Sequence, residues 1–215
     1  MKDILKGSLI LTSSNLTVRV LGYLYRIIAG RLLTPYEFGI LNLALPLQYM
    51  IILLSSSGIA PAISKFVSEY EAKKDSERRD LVISSSLVFY TLLGAALGIF
   101  FYLASPYLGI YLFHEERAIV PLKIASIALP FGMLVAVYTG IFQGFKRIEY
   151  MGATLILEQI LRVVFAVLLL SVGLSAVNAI LGSTLGFIAV LPVAYMLFRK
   201  MGLRVSRYSF NEFKK

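Results

Sequence analysis

Long stretches without a charged residue are the feature that most limits what this chain can fold into. Residues 38–64 contain no Lys, Arg, Asp or Glu, and residues 81–113 form a second such stretch. About 18 consecutive apolar residues already indicate a helix that crosses the hydrocarbon core of a bilayer. These stretches therefore predict membrane-spanning helices.

The composition agrees with a multi-pass protein of the cell membrane. Hydrophobic residues make up 58% of the 215 residues and charged residues only 15%, with a mean hydropathy of +0.80. Soluble domains carry about 25% charged residues, so a soluble fold of this size could not hide so much apolar surface. The net charge of +9 indicates loops that face anionic membrane lipids. It does not indicate a nucleic-acid partner, because no basic stretch is interleaved with aromatic residues.

We predict an all-α membrane protein, a six-span transmembrane helix bundle with cytoplasmic N- and C-termini. Strands of a membrane β-barrel are shorter and alternate polar with apolar residues, and these segments do not alternate. The predicted lobe covers residues 1–198, and residues 199–215 form a basic cytoplasmic tail or inter-lobe linker. We expect Ser105-Pro106 to end the third helix. The predicted spans are residues 7–30, 38–64, 81–104, 122–143, 152–171 and 177–198.

Basic residues predict the orientation, because cytoplasmic loops of membrane proteins are enriched in Lys and Arg. With six spans and an inside N-terminus, fifteen of the 21 basic residues lie on the cytoplasmic side and three lie outside. The remaining three, Arg19, Arg26 and Arg162, lie within spans. Removing one span would scramble this asymmetry, so it supports the span count as well.

Small residues and prolines predict how the spans pack. Three pairs of glycines have the GxxxG spacing that lets helix backbones approach closely: Gly94/Gly98, Gly140/Gly144 and Gly182/Gly186. Prolines inside spans remove backbone hydrogen bonds and bend helices. Pro46, Pro130 and Pro192 are expected to do so, either as static kinks or in a moving helix.

No pattern in the sequence predicts catalysis. The chain has no cysteine and one histidine, His114, which we expect to be a solvated loop residue and not a metal ligand. Neither a phosphate-binding GxxxxGK motif nor a GxSxG nucleophile motif occurs. We therefore expect no enzyme activity, no metal and no cofactor.

Charges inside the spans are the main functional candidates. A charged side chain at the bilayer centre costs roughly 2.5–3.5 kcal/mol on insertion scales, so such residues face a protein interior or a water-filled cavity. Asn15, Arg19, Gly22 and Arg26 lie on one face of the first span and form a polar stripe. Arg26 has the alternative of reaching the outer interface, whereas Arg19 is too central to do so easily.

The fifth span carries Glu158 and Arg162, four residues apart on one helix face, with Gln159 beside them. Three positive charges against one negative charge would suit an anionic ligand such as a phosphate or pyrophosphate group, which arginine binds bidentately. A purely structural Glu158–Arg162 pair is the alternative. In the second span Asn42, Gln48 and the serines at 55–57 are polar enough to line a cavity, or they bond their own backbone.

Four segments resemble a known family of membrane transporters. Residues 30–39 (GRLLTPYEFG), 57–66 (SGIAPAISKF), 140–144 (GIFQG) and 158–162 (EQILR) are similar, in order and spacing, to segments of the polysaccharide transporters. That family belongs to the multidrug/oligosaccharidyl-lipid/polysaccharide exporter superfamily, in which sporulation protein B-like proteins and lipid II flippases are relatives. The resemblance implies a flippase that moves lipid-linked oligosaccharide by alternating access without hydrolysing ATP. It also implies that Arg19, Arg26 and Arg162 hold the lipid pyrophosphate.

The resemblance covers one lobe of a family whose members have two. A truncated chain, a split gene with a separate partner chain and a homodimer of lobes are the three explanations, and a second lobe is an expected partner. Two other functions stay open. A cation-coupled multidrug exporter lobe would favour acidic cavity residues, of which only Glu158 qualifies, and a non-transporting scaffold or accessory subunit would need no substrate.

Overall fold

The computed structural model describes residues 2–203, apart from the side chains of residues 2–6, 8 and 56. Within this range the chain is helical and contains no strand, which confirms the predicted all-α bundle. The helices are α1 (Lys2–Leu32), α2 (Pro35–Ser56), α3 (Ile59–Ala72), α4 (Ser76–Tyr107), α5 (Ile119–Gly144), α6 (Ile148–Val172) and α7 (Ala176–Lys200). Residues 204–215, most of the predicted tail, lie outside the described residues.

Six long helical segments correspond to the six predicted spans. Five of them are apolar and long enough to cross a membrane, and α2 with α3 makes up one of these five, Pro35–Ala72. The sixth segment is α1, which has 31 residues and is longer than the roughly 20 that a bilayer requires. Residues 12–17 (TSSNLT) together with Arg19 and Arg26 make α1 more polar than the others.

The connection between α2 and α3 is a short break at Ser57-Gly58 inside the second predicted span. The Ser57 N–H still donates to the Leu53 carbonyl at 2.8 Å, and the Ala62 N–H donates to the Gly58 carbonyl at 3.2 Å. Backbone groups across the break are thus largely paired, as an apolar surrounding requires. The span bends here without unwinding.

Helix α5 is the centre of the bundle, since it packs against α2, α3, α4, α6 and α7. Most of its residues are buried, among them Met133, Val137 and Ile141. In contrast, α4 packs mainly on α5 and turns a row of large apolar side chains outward, as expected of a lipid-facing helix. That row includes Val88, Phe89, Leu92, Ile99, Phe100 and Leu103.

The predicted GxxxG pairs lie where helices cross closely. A Cβ atom added to Gly94 would lie 2.6 Å from the Pro130 Cα atom, and one added to Gly182 would lie 2.5 Å from the Ala166 Cα atom. At Gly140 the same atom would lie 2.9 Å from the Ala60 Cα atom. These glycines therefore allow α4 to approach α5, α7 to approach α6, and α5 to approach α3.

The third span continues beyond its expected end. Helix α4 includes Pro106 and ends at Tyr107, and a π-helix follows over Leu108–Leu112. In an apolar surrounding the chain gains more by keeping helical hydrogen bonds than by unwinding at a proline. The wider π turn accommodates the disturbance, and it closes with the Phe113 N–H donating to the Leu108 carbonyl at 2.9 Å.

Contacts between turns define two ends of the bundle. At the terminal end, Arg79 stacks on the Phe145 ring at 5.5 Å, Gly7 faces Ile148, and Leu203 is buried in the same cluster as Phe142. The beginning of α1 and the end of α7 therefore lie at the same end of the bundle, as an even number of membrane crossings requires.

At the far end, Glu37 Oε2 accepts a hydrogen bond from the Ala176 N–H at 2.6 Å, which ties the turn before α2 to the start of α7. Tyr36 stacks with Arg117 at 5.4 Å. The Glu115 carboxyl accepts hydrogen bonds from the Tyr36 hydroxyl and from the Arg117 backbone N–H. These two bonds, the first of which has the larger effect, hold the pKa of Glu115 below its usual value. These contacts hold the three far-end turns together.

The close crossing of α6 and α7 predicts a large effect of a single methyl group. Gly182→Ala would place Cβ at 2.5 Å from backbone atoms of Ala166, so the helices must separate, and we expect a loss of about 1–3 kcal/mol of stability. Gly39→Ala is the matched control, because its Cβ would meet nothing within 4 Å. Thermal unfolding in detergent, followed by circular dichroism, compares them, and equal stability of the two variants would contradict the close crossing.

Candidate functional site

A cavity of about 320 Å³ lies between α1 and α2. Helix α1 packs along α6 and makes few contacts with α2, so the two helices form the walls of a cleft and α6 forms its floor. The lining residues are Arg19, Gly22, Tyr23, Tyr25, Arg26, Phe38, Leu41, Asn42, Leu45, Pro46, Tyr49, Gln159 and Arg162.

The α1 wall carries most of the predicted polar stripe. Arg19, Gly22 and Arg26 line the cavity, and both arginine side chains are exposed. Among the described residues no carboxylate pairs with either arginine. Asn15 does not line the cavity, although it is exposed on the same helix.

Helix α1 lies close against α6 next to Asn15. A Cβ atom at Gly152 of α6 would lie 2.4 Å from the Ser14 hydroxyl oxygen, and Ser14 is buried. Ser14 is therefore on the side of α1 that faces α6, whereas its neighbour Asn15 is exposed.

The floor of the cavity is built around a buried ion pair. The Arg162 guanidinium hydrogen-bonds the Glu158 carboxylate, and both side chains are buried. The Arg162 Cζ atom lies 4.9 Å from the centre of the Tyr49 ring and 5.0 Å from that of Phe187. The predicted pair is present, and two aromatic rings from α2 and α7 fix its position.

Glu158 lies behind the floor and does not line the cavity, whereas Arg162 does. Its carboxylate compensates Arg162, so the uncompensated charge of the cavity comes from Arg19 and Arg26. Gln159 lies on the floor next to the α1 wall, and a Cβ atom at Gly22 would lie 3.7 Å from its Nε2 atom. Gly22 thus leaves the cavity open above the Gln159 amide.

The α2 wall carries Asn42, Pro46 and Tyr49. The Asn42 Nδ2 atom donates to the Phe38 carbonyl at 2.9 Å, one turn back in the same helix. Gln48 points elsewhere, toward a separate space of about 10 Å³ between α2 and α5. The Ser57 hydroxyl donates to the Leu54 carbonyl at 3.4 Å, so it bonds its own backbone.

Sequence reasoning missed the aromatic part of the site. Phe38, Tyr23, Tyr25 and Tyr49 line the cavity, and the Tyr25 hydroxyl donates to the Ala179 carbonyl of α7 at 3.0 Å. Tyr23 lies four residues after Arg19, on the same helix face, and this spacing was available in the sequence. The partners of Tyr25 and Tyr49 depend on how α1, α2 and α7 assemble.

Within residues 2–203, no group of three or more His, Asp and Glu side chains is placed so that it could hold a metal ion. His114 lies in the far-end turn with a positive φ of 53°. The side chains that line the cavity are cationic and aromatic, with arginine as the charged group.

Comparison with known sequences places the chain among membrane proteins of about twice its length. Residues 4–215 match the sequence family described as "Polysaccharide biosynthesis protein". Stage V sporulation protein B of Bacillus subtilis is 25% identical over 217 residues, which cover 98% of this chain and 42% of that protein. The lipid II flippase MurJ of Bacillus subtilis is 24% identical over 219 residues, which cover 87% of this chain and 38% of that protein.

Solved structures share the fold over half of their length. An outward-facing multidrug resistance MATE family transporter of the MOP superfamily superposes with a TM-score of 0.80 at 21% identity, covering 97% of this chain and 48% of that chain. A MOP superfamily transporter from Pyrococcus furiosus superposes with a TM-score of 0.79 at 20% identity, with the same coverage. The chain spans about half the length of the proteins it matches, as one lobe would.

The buried pair on the cavity floor predicts an asymmetric response to mutation. Glu158→Gln leaves the Arg162 guanidinium buried without a carboxylate, and breaking a buried pair in this way costs about 3–5 kcal/mol. Replacing both residues by methionine removes the charges together, so the double variant should lose less stability. Unfolding temperatures in detergent rank the wild type, the double variant and Glu158→Gln by stability. A Glu158→Gln variant as stable as the wild type would contradict the burial of Arg162.

Proposed function

Because the family match covers residues 4–215, this protein belongs to the polysaccharide biosynthesis protein family, and we propose that it is one lobe of a transporter for an anionic lipid-linked saccharide. The transporter would move this substrate across the cell membrane by alternating access, with the anionic group held at Arg19 and Arg26. The family resemblance carried by the four motifs is confirmed by the match. The chain is a multi-pass membrane protein.

The observation that carries the proposal is the uncompensated positive charge of the cavity. Arg19 and Arg26 lie two turns apart on one wall, exposed and without a carboxylate partner among the described residues. Arginine side chains within a span are costly unless water, protein or a ligand solvates them. A phosphate or diphosphate group offers the oxygens that a guanidinium binds bidentately.

Arg162 has a different part in this proposal. Its charge is already balanced by Glu158, and its ring contacts to Tyr49 and Phe187 hold it in place. It supplies a rigid floor with donor groups, while the two arginines of α1 supply net charge. The lipid II flippase named among the relatives moves a lipid by its name, which agrees with a lipid-linked substrate.

A cation-coupled multidrug exporter is less consistent with this cavity. The fold is shared with a multidrug resistance transporter, and the four aromatic residues of the lining would bind a lipophilic cation. However, the acidic residue of the spans, Glu158, is buried in its pair with Arg162, so an organic cation would meet two uncompensated positive charges. A non-transporting scaffold would bind neither kind of ligand.

We also propose that a second lobe covers the α1–α2 face, which we define as the exposed residues Arg19, Tyr23, Arg26 and Asn42. Lipid tails do not solvate arginine or asparagine side chains. The chain covers 42% of the sporulation protein and 48% of the superposed transporter, so an additional lobe of similar size would complete the match. A second copy of this chain or a separate chain would supply it.

The orientation of the lobe is a proposal of the same kind. The terminal end carries Lys73, Lys74, Arg78, Arg79, Lys146, Arg147, Arg199 and Lys200. Among residues 2–203, the basic residues at the far end are Arg31, Arg117 and Lys123. By the distribution of Lys and Arg, the terminal end faces the cytoplasm.

The role of Arg19 is tested by binding of a polyprenyl diphosphate to the chain in lipid nanodiscs. Removing a charge-assisted hydrogen bond costs about 1.5–3 kcal/mol, so Arg19→Ala should weaken binding by roughly ten-fold or more. Arg31→Ala is the matched control, because Arg31 lies on the same helix and outside the cavity lining. Native mass spectrometry gives the affinities.

The same preparation separates the alternatives. Unchanged diphosphate binding in Arg19→Ala would contradict the proposed role of this arginine. Tight binding of ethidium with no binding of the diphosphate would favour the drug exporter. Binding of neither would favour the scaffold.

The second lobe is tested by cross-linking, for which the chain has no native cysteine. Tyr23→Cys lies at the cavity mouth with 69% of Tyr23 exposed, and Leu92→Cys lies on the outer side of α4 with 63% of Leu92 exposed. If a second copy covers the α1–α2 face, oxidation in native membranes should give a disulfide-linked dimer from Tyr23→Cys and little from Leu92→Cys. A photo-cross-linker attached at Tyr23→Cys would instead capture a separate chain, and equal yields from both positions would contradict the proposal.

A further inference from the structure

The two walls of the cavity differ in the hydrogen bonds that they offer. The α1 wall presents the Arg19 and Arg26 guanidinium groups, which only donate. The α2 wall presents Asn42 and Pro46, which lie four residues apart and both line the cavity. Besides the Tyr49 hydroxyl, this second wall offers two acceptor oxygens of Asn42, for two separate reasons.

The first reason is the proline. In an α-helix the N–H of residue 46 would pair with the carbonyl of residue 42, but proline has no N–H. The Asn42 carbonyl is therefore left without its helical donor. Asn42 and Pro46, the two residues that the missing hydrogen bond would join, both line the cavity.

The second reason is the side chain of Asn42. Its Nδ2 atom is already engaged with the Phe38 carbonyl at 2.9 Å, and the residue is exposed. This bond uses one of the two Nδ2 hydrogens and leaves the side-chain oxygen as an acceptor. Asn42 thus contributes a side-chain oxygen and a backbone oxygen to the same wall, and lipid tails could satisfy neither.

From this arrangement we infer that the ligand carries hydrogen-bond donors next to its anionic group, and that Asn42 with Pro46 selects for them. Hydroxyl or amide groups of a saccharide have these donors, and a bare diphosphate does not. The inference rests on the proposed function, because it takes the anionic group to be held on the α1 wall. Asn42 then determines preference for the saccharide, while Arg19 and Arg26 determine affinity for the diphosphate.

Two lipids of the same chain length test the inference: geranylgeranyl diphosphate, and geranylgeranyl diphosphate bearing one N-acetylglucosamine. With the chain in nanodiscs, the wild type should bind the sugar-bearing lipid more tightly. One or two neutral hydrogen bonds correspond to roughly a three- to ten-fold preference. Asn42→Leu should abolish this preference, whereas Arg19→Ala should weaken the binding of both lipids.

Pro46→Ala provides a second, independent variant. It restores the N–H that pairs with the Asn42 carbonyl and favours a regular helix, so it should reduce the preference while keeping the fold. Asn15→Leu is the matched control for Asn42→Leu, since Asn15 is an exposed asparagine of α1 outside the cavity. It should bind both lipids as the wild type does.

The possible results separate this inference from the proposed function. A full preference for the sugar in Asn42→Leu, or an equal loss of affinity for both lipids, would overturn the role of Asn42. A wild type that binds both lipids equally, in a manner that depends on Arg19, would overturn the inference and leave the proposed function intact. A wild type that binds neither lipid would overturn both.

Discussion

The ion pair between Glu158 and Arg162 of α6 is buried where α6 meets α2 and α7. A guanidinium and a carboxylate lose most of their hydration when they are buried, and only close pairing and further contacts offset that loss. Here the contacts come from different helices, because Tyr49 of α2 and Phe187 of α7 cover the guanidinium. Gly186 allows α7 to pass close to the Arg162 backbone, where a Cβ atom would lie 2.9 Å from its Cα atom.

The pair also decides the charge of the cavity. Since Glu158 neutralises Arg162 within α6, no acidic residue among those that line the cavity balances Arg19 and Arg26. The two arginines reduce the apolarity of α1, which is the one long helix not among the apolar span candidates. Helix α1 is held mainly by α6 and by the Tyr25 hydroxyl on the Ala179 carbonyl. Its polar side is consequently free to form a wall of the cavity.

Much of this could be predicted from the sequence, where the signal is local. Uncharged stretches determine the helices, the spacing of four between Glu158 and Arg162 determines their pairing, and the spacing of seven between Arg19 and Arg26 places them on one face. Glycine pairs marked the close crossings because only a residue without Cβ fits there. The continuation of α4 through Pro106 was not predicted, since it depends on the apolar surrounding and not on the proline itself.

The candidate site could be predicted only in part, because its shape depends on several helices at once. Asn15 lies on the same stripe as Arg19, yet it is not among the residues that line the cavity. Gln48 and Asn42 are both amides of α2, six residues apart, and only Asn42 faces the cavity. Tyr49 and Phe187 meet Arg162 from two helices, and no spacing in the sequence relates them.

Stability and function place different demands on this bundle. Its core is complete around α5, which packs against five other helices, and it needs nothing beyond the chain to bury Met133, Val137 and Ile141. The α1–α2 face is not complete in the same sense, because arginine and asparagine side chains are exposed there, whereas α4 exposes leucine and phenylalanine. A charge exposed within a membrane is stable only against water, a ligand or another protein. The core around α5 is therefore formed within the lobe, whereas the cavity on its α1–α2 face has a defined environment only when something polar covers it.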